Sequence, residues 1–197
     1  MASTLDNCVI AAKGYAQCAH RHQVRKYNGG PYITHLNEVA TTLLEHKLPD
    51  HVIAAAYLHD ILEDTEVTEL DLRQSFSNRI VDLVLEVTDV ATKADGNRKQ
   101  RMFINNLHLA KASNYGMSIK LADILSNTKD IVEKDPQFAK VYLREKQDLL
   151  PLLKDGDRTL YSVVEYNLES QQNKLDAITE EEWQQMEILR YAKKFSW

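Results

Sequence analysis

The stretch Val52-Ile53-Ala54-Ala55-Ala56-Tyr57-Leu58-His59-Asp60-Ile61-Leu62-Glu63-Asp64-Thr65 decides the fold and points to the chemistry. Its apolar run, Val52 to Leu58, reads as a helix, and it closes on four ionisable residues. On a helix the adjacent His59 and Asp60 point about 100° apart, close enough for both to reach one ion. Glu63 and Asp64 lie one turn further on, at i+4 from each, and return to the same face. Four such side chains at the end of a greasy helix do not make an ordinary solvated surface. Upstream stands His35, in Pro31-Tyr32-Ile33-Thr34-His35, and downstream Asp123, inside Ile119-Lys120-Leu121-Ala122-Asp123-Ile124-Leu125. A lone carboxylate in such an apolar stripe must be paired or ligated. Together these residues read as a metal-dependent hydrolytic site.

Around this stretch the chain reads as all-α, with about eight to eleven helices by periodicity. Apolar positions recur from Leu5 to Val24 and from Thr34 to Leu48; Asn28-Gly29-Gly30-Pro31 between them is a turn. Pro49-Asp50 opens the decisive helix. Thr68–Ser75 and Asn78–Thr88 follow, the second capped by Ser77 or Asn78. Val81–Val87 has the β-branched content of a strand, but charged neighbours and the lack of a partner favour helix. Arg98–Ala112 is a basic helix whose Arg98, Lys99 and Arg101 read as a solvated face, with the mouth of a pocket as the alternative, and Asn114-Tyr115-Gly116 reads as a turn. Met117–Lys134 has the broad apolar face of a central helix. Pro136 begins another, and beyond Gln171 an outer helix packs through Trp183, Ile188 and Leu189.

The 197 residues fit one domain with a sizeable core, and nothing rich in Pro, Gly or Ser divides them. At 44% hydrophobic and 27% charged, the composition is that of a globular protein. A net charge of -5 provides no global field for nucleic acid, so an anionic substrate needs a local basic cluster. No apolar run approaches the roughly 20 residues that span a bilayer, and no secretory signal is visible; the expected compartment is the cytoplasm. Cys8 and Cys18 read as buried free thiols. His20, His22, His46, His51 and His108 have no partner at metal spacing.

Two imidazoles and two carboxylates balance a divalent cation and leave positions open for water or substrate oxygen. The mixed nitrogen and oxygen set suits Mn, Fe or Zn better than Ca or Mg. Glu63, one turn beyond His59, suits a water-activating base. Read without the metal, it is a helix-surface charge, and His35 is a surface or capping histidine. Arg25 and Lys26 supply positive charge near His35 for phosphates. Asn127, one turn after Asp123, is placed to hold a ribose or base.

Four motifs, His22-Gln23-Val24-Arg25-Lys26, Gly30-Pro31-Tyr32-Ile33-Thr34-His35, Leu58-His59-Asp60 with Glu63-Asp64-Thr65, and Ile119-Lys120-Leu121-Ala122-Asp123 with Asn127, occur in the order found in the hydrolase domain of RelA/SpoT homologues. The chain resembles a stand-alone small alarmone hydrolase of the HD superfamily. The motif-bearing core covers about residues 8–150, and the C-terminal helices pack on it. The resemblance implies one Mn²⁺, with other divalent transition metals as alternatives, held by His35, His59, Asp60 and Asp123. It implies that Glu63 and Asp64 position or deprotonate the attacking water. It carries Tyr142 over as a further substrate contact beside Arg25, Lys26 and Asn127. The implied reaction removes the 3′-pyrophosphate of ppGpp or pppGpp, giving GDP or GTP and pyrophosphate. Metazoan relatives also remove the 2′-phosphate of NADPH, so an adenosine alarmone or NADPH stands as an alternative substrate. A non-catalytic alarmone-binding or antitoxin module is a third reading, opposed by the intact ligand set. The oligomeric expectation is monomer or homodimer. Departures from the family pattern fall at Leu36, where proline is common, and at Ile124, Ser126 and Asp130. The last three are expected beside the base and ribose and put guanine specificity in question.

Overall fold

The computed structural model describes residues 6–25 and 29–195, with side chains followed to residue 188. Among these residues there is no strand, only one isolated antiparallel bridge, Val24 with Pro31. In chain order the helices are α1 (Asn7–Ala19), α2 (Ile33–Glu45), α3 (Asp50–Leu58), α4 (Ile61–Asp64), α5 (Glu69–Ser75), α6 (Asn78–Val87), α7 (Arg98–Leu109), α8 (Asn114–Thr128), α9 (Ile131–Lys134), α10 (Pro136–Leu149), α11 (Arg158–Asp176) and α12 (Glu180–Phe195). The expected all-α class holds; α4 and α9 are single turns.

Helix α3 is the axis of the fold. Residues 52–58 are all buried, so it has no solvent face, and its three alanines let neighbours approach closely. It packs against α1, α2, α6 and α8. The second central helix is α8, whose Ile119, Leu121, Ala122 and Ile124 are fully buried; it packs against α2, α3, α6 and α11. Because α2, α3 and α8 touch one another, the start of α2, the end of α3 and the middle of α8 meet at one point.

Local chemistry explains where the expected boundaries move. Helix α1 stops at Ala19 rather than Val24, because the chain turns at His20–His22 and pairs Val24 with Pro31. Asn114-Tyr115-Gly116 is not a turn but the first turn of α8, since the Ser113 hydroxyl caps it by accepting from Gly116 N at 3.2 Å. Gly116 is required by close approach: a Cβ there would meet Glu86 Oε2 and lie 3.3 Å from Glu86 Cβ and 3.2 Å from Ala112 Cβ. Ser77 does occupy the cap position of α6, yet its side chain makes no capping bond. Cys8 and Cys18 are free thiols, but Cys18 is exposed and Cys8 half-buried; neither belongs to the deep core. Helix α12 anchors through Trp183, under the Lys140 ammonium at 3.4 Å, while Ile188 faces solvent; the side chain of Leu189 lies outside the described residues. No helix among the described residues is long and apolar enough to cross a membrane.

Candidate functional site

The decisive stretch is not one continuous helix. Helix α3 ends at Leu58, His59 and Asp60 form a tight turn, and α4 restarts at Ile61 with Glu63 N and Asp64 N both bonded to Asp60 O. Glu63 and Asp64 therefore do not simply repeat the directions of His59 and Asp60, and the two acids diverge. Glu63 Oε1 accepts from the backbone N–H of Asp89 at 2.9 Å. Asp64 Oδ2 accepts from Gln23 Nε2 at 2.8 Å, and Gln23 Oε1 lies 2.6 Å from His20 Nδ1.

His35, His59, Asp60 and Asp123 do converge. Asp60 Oδ2 lies 3.1 Å from His59 Nε2 and 3.5 Å from His35 Nε2; Asp123 Oδ1 lies 3.7 and 3.4 Å from the same atoms. The two histidines are 1% and 2% exposed, and neither Nε2 has a hydrogen-bond partner. Orphaned buried nitrogens are costly, and two aimed at one space beside two carboxylates fit a cation. His35, His59 and Asp123 by themselves form a group able to hold a metal ion, and Asp60 adds an oxygen within reach. His59 Nδ1 lies 2.8 Å from the Ala56 carbonyl, which can only accept, so the proton sits on Nδ1 and the Nε2 lone pair faces the cluster.

The electrostatics agree. Burial disfavours protonation of both histidines, yet the neighbouring Asp123 and Asp60 outweigh it and raise both pKa values. Burial likewise works against ionisation of Asp60 and Asp123, but His59, His35 and, for Asp123, Lys120 hold both carboxyls well below the usual range. The point is one that favours positive charge. Glu63 stands on the rim, open to water on one side. Desolvation by the surrounding protein pushes its carboxyl up to about 7, against the pull of Lys120 and with help from Asp89 and Asp60.

Several neighbours of the cluster were not legible as such. The Tyr32 hydroxyl donates to Asp60 Oδ2 at 2.5 Å. Lys120 Nζ sits 3.0 Å from Asp123 Oδ2; a lone lysine three residues before Asp123 in an apolar run was the available signal. Asn127 donates its amide to Asp123 Oδ1 at 2.5 Å, so it braces that carboxylate. Arg25, expected at the phosphates, bonds Glu38 Oε2 at 3.0 Å and the Ser126 carbonyl at 3.4 Å. Lys26 lies outside the described residues. Ile124 is fully buried and Ser126 lies against His35 Nδ1 at 2.9 Å, and neither lines the cavity beside the cluster; Asp130 pairs with Lys134.

Beside the cluster opens a cavity of about 300 Å³, lined among others by Arg98, Arg101, Lys120, Tyr142 and Lys146. Arg98 and Arg101 of the basic helix α7 thus face a cavity rather than bulk solvent alone. Arg98 is tied to Glu145 through two bonds of 2.7 Å. Lys146 has no carboxylate partner among the described residues and rests over the Tyr142 ring at 4.8 Å; burial and then Lys120 push its ammonium down. Tyr142 stacks on Phe138.

A helical bundle that brings two histidines and two aspartates to one buried point is the frame of an HD domain. Residues 12–150 match the family model of the HD domain, and the chain belongs to that family. It is 39% identical over 125 residues to the Drosophila melanogaster guanosine-3′,5′-bis(diphosphate) 3′-pyrophosphohydrolase MESH1, covering 62% of this chain and 68% of the relative. It is 32% identical over 137 residues to the Escherichia coli bifunctional (p)ppGpp synthase/hydrolase SpoT, covering 68% of this chain but 19% of SpoT. A probable guanosine-3′,5′-bis(diphosphate) 3′-pyrophosphohydrolase from Mycoplasma pneumoniae is 33% identical over 145 residues, and the match spans 20% of its length. The solved structure of a metazoan SpoT ortholog that hydrolyses ppGpp superposes with a TM-score of 0.77 at 27% identity, over 86% of this chain and 98% of the other.

Proposed function

We propose that this chain is a metal-dependent 3′-pyrophosphohydrolase of guanosine alarmones, adding water across the bond between the ribose 3′-oxygen and phosphorus to release pyrophosphate. The observation that carries the reading is the pair of orphaned Nε2 atoms of His35 and His59, buried with the oxygens of Asp60 and Asp123 beside a cation-lined cavity. These four residues would hold one divalent ion, and the mixed donor set favours Mn²⁺. Once bound, such an ion supplies Lewis-acid charge to a phosphoryl oxygen and acidity to water.

The chain's own residues do the rest. Glu63, with Oε1 held by Asp89 and a carboxyl near 7, is poised to take the proton of the attacking water. Asn127 and Tyr32 steady Asp123 and Asp60 from outside. Lys120 and Lys146 supply positive charge for the phosphates, and Tyr142 gives the cavity an aromatic wall. Asp64, held by Gln23, orders the loop that carries Arg25 rather than the water. Guanine stands as the base, since Ile124 and Ser126 are turned into the protein and no longer argue against it. The test is a panel of ppGpp, pppGpp, their adenosine analogues and NADPH with Mn²⁺-loaded protein. Pyrophosphate release from the guanosine compounds is expected; turnover of NADPH alone would overturn the substrate.

A further inference from the structure

Ser126 is buried on α8, three residues after Asp123, and Glu38 stands on α2, three residues after His35. The Ser126 hydroxyl lies 2.9 Å from His35 Nδ1 and donates to Glu38 Oε2 at 2.6 Å. Glu38 is in turn held by Arg25 Nη1 at 3.0 Å and by Lys129 Nζ at 3.1 Å. Burial raises the Glu38 carboxyl, but Ser126, Lys129 and Arg25 together bring it below its ordinary value, so it is an acceptor only.

That fixes every proton in the chain. A serine hydroxyl has one proton, and here Glu38 receives it. Serine Oγ must then accept from His35, which places the imidazole proton on Nδ1. In the neutral imidazole the lone pair is left on Nε2, which faces His59, Asp60 and Asp123. His59 reaches the same state by another route, through the Ala56 carbonyl. One ring is therefore set by backbone and the other by side chains, and only the second can be broken by substitution.

Resting on the reading of this cluster as a metal site, we propose that Ser126 and Glu38 are positioning residues that hold His35 in its metal-binding tautomer and staple α2 to α8 behind it. Arg25 and Lys129 complete the arrangement by neutralising Glu38. Partners one bond removed from a ligand typically govern about 10- to 100-fold of metal affinity.

The test is Mn²⁺ binding to metal-free protein, read from the free-ion electron paramagnetic resonance signal, so it does not depend on any substrate. S126A and E38Q are expected to weaken binding by about 10- to 100-fold. S126T, which keeps the hydroxyl, should restore binding, and S162A, at an exposed position of α11, should match the parent. Nitrogen-15 spectra of the neutral imidazoles should show His35 protonated on Nδ1 in the parent and lose that preference in S126A. Unchanged affinity in S126A and E38Q, or a parent His35 protonated on Nε2, overturns the proposal, as does a parent chain that binds no Mn²⁺. If S126A does not fold, E38Q decides alone. Tight binding without alarmone turnover would instead overturn the proposed function and leave this inference standing.

Discussion

Replacing Asp123 by asparagine separates the metal from the fold. Asp123 Oδ2 is 3.0 Å from Lys120 Nζ, and both side chains are largely buried. At an effective dielectric of about 20, opposite charges at that distance attract by about 5 kcal/mol before desolvation is counted. Removing one partner of such a pair commonly costs about 3–5 kcal/mol. The low end applies, because Glu63, Asp60 and Asp89 also hold Lys120. For a chain of this size about 3 kcal/mol corresponds to roughly 6–12 °C in Tm without metal. Metal adds a second signature. At 100 times Kd, Mn²⁺ stabilises the parent by about 2.7 kcal/mol, a rise of roughly 5–11 °C. A ligand loss that weakens binding about 100-fold leaves D123N only about 0.4 kcal/mol, a rise of roughly 1–2 °C. Differential scanning fluorimetry with and without Mn²⁺ reads both numbers. K120M supplies a control of opposite sign: it lowers the metal-free Tm but strengthens Mn²⁺ binding, since a competing cation is gone. A full metal-induced rise in D123N would refute the ligand assignment.

Glu63 should separate catalysis from binding. E63Q is expected to lose about 10²–10⁴-fold in turnover while keeping the Mn²⁺-induced rise in Tm; retained turnover would remove Glu63 as the base. The same residue sets a pH signature in the metal-free protein. Its folded pKa, about 7, lies above the ordinary 4.5, so the fold holds that proton more tightly and loses stability as pH rises between those values. E63Q should flatten that decline, and denaturant midpoints from pH 4 to 8 measure it. At Gly116, alanine gains about 1 kcal/mol of helix propensity but collides with Glu86, whose Oε2 holds Ser113 N and Oγ at 2.9 and 2.6 Å. G116A should therefore lower stability by about 1–2 kcal/mol net, and a raised Tm would show that α6 and α8 can part at no cost.

What could be read from the chain alone follows from the range of the interactions. Helix α3 was plain because seven consecutive residues are buried, and no surface helix needs such a run. Asp123 was plain because an apolar stripe has no other use for a carboxylate. The four cluster residues therefore came out of local pattern and motif order. The break at His59–Asp60 did not, because periodicity carries no record of where a backbone tightens between two helices. Asn114-Tyr115-Gly116 was misread because turn composition and a tightly packed first helical turn look alike; the carboxylate of Glu86 that decides between them is 27 residues from Ser113. What Arg25 pairs with was hidden for the same reason. Its partner Glu38 meets Ser126 across 88 positions of sequence, and only the docking of α2 on α8 creates that contact.

The most direct test of the central claim is to incubate ppGpp with the metal-stripped protein, then with Mn²⁺ restored, and separate the products by ion exchange. Metal-dependent hydrolysis at this cluster predicts GDP and pyrophosphate in equal amounts, only with metal, and none from H59A or D60A under the same conditions. Turnover that survives both metal removal and loss of His59 and Asp60 would contradict it.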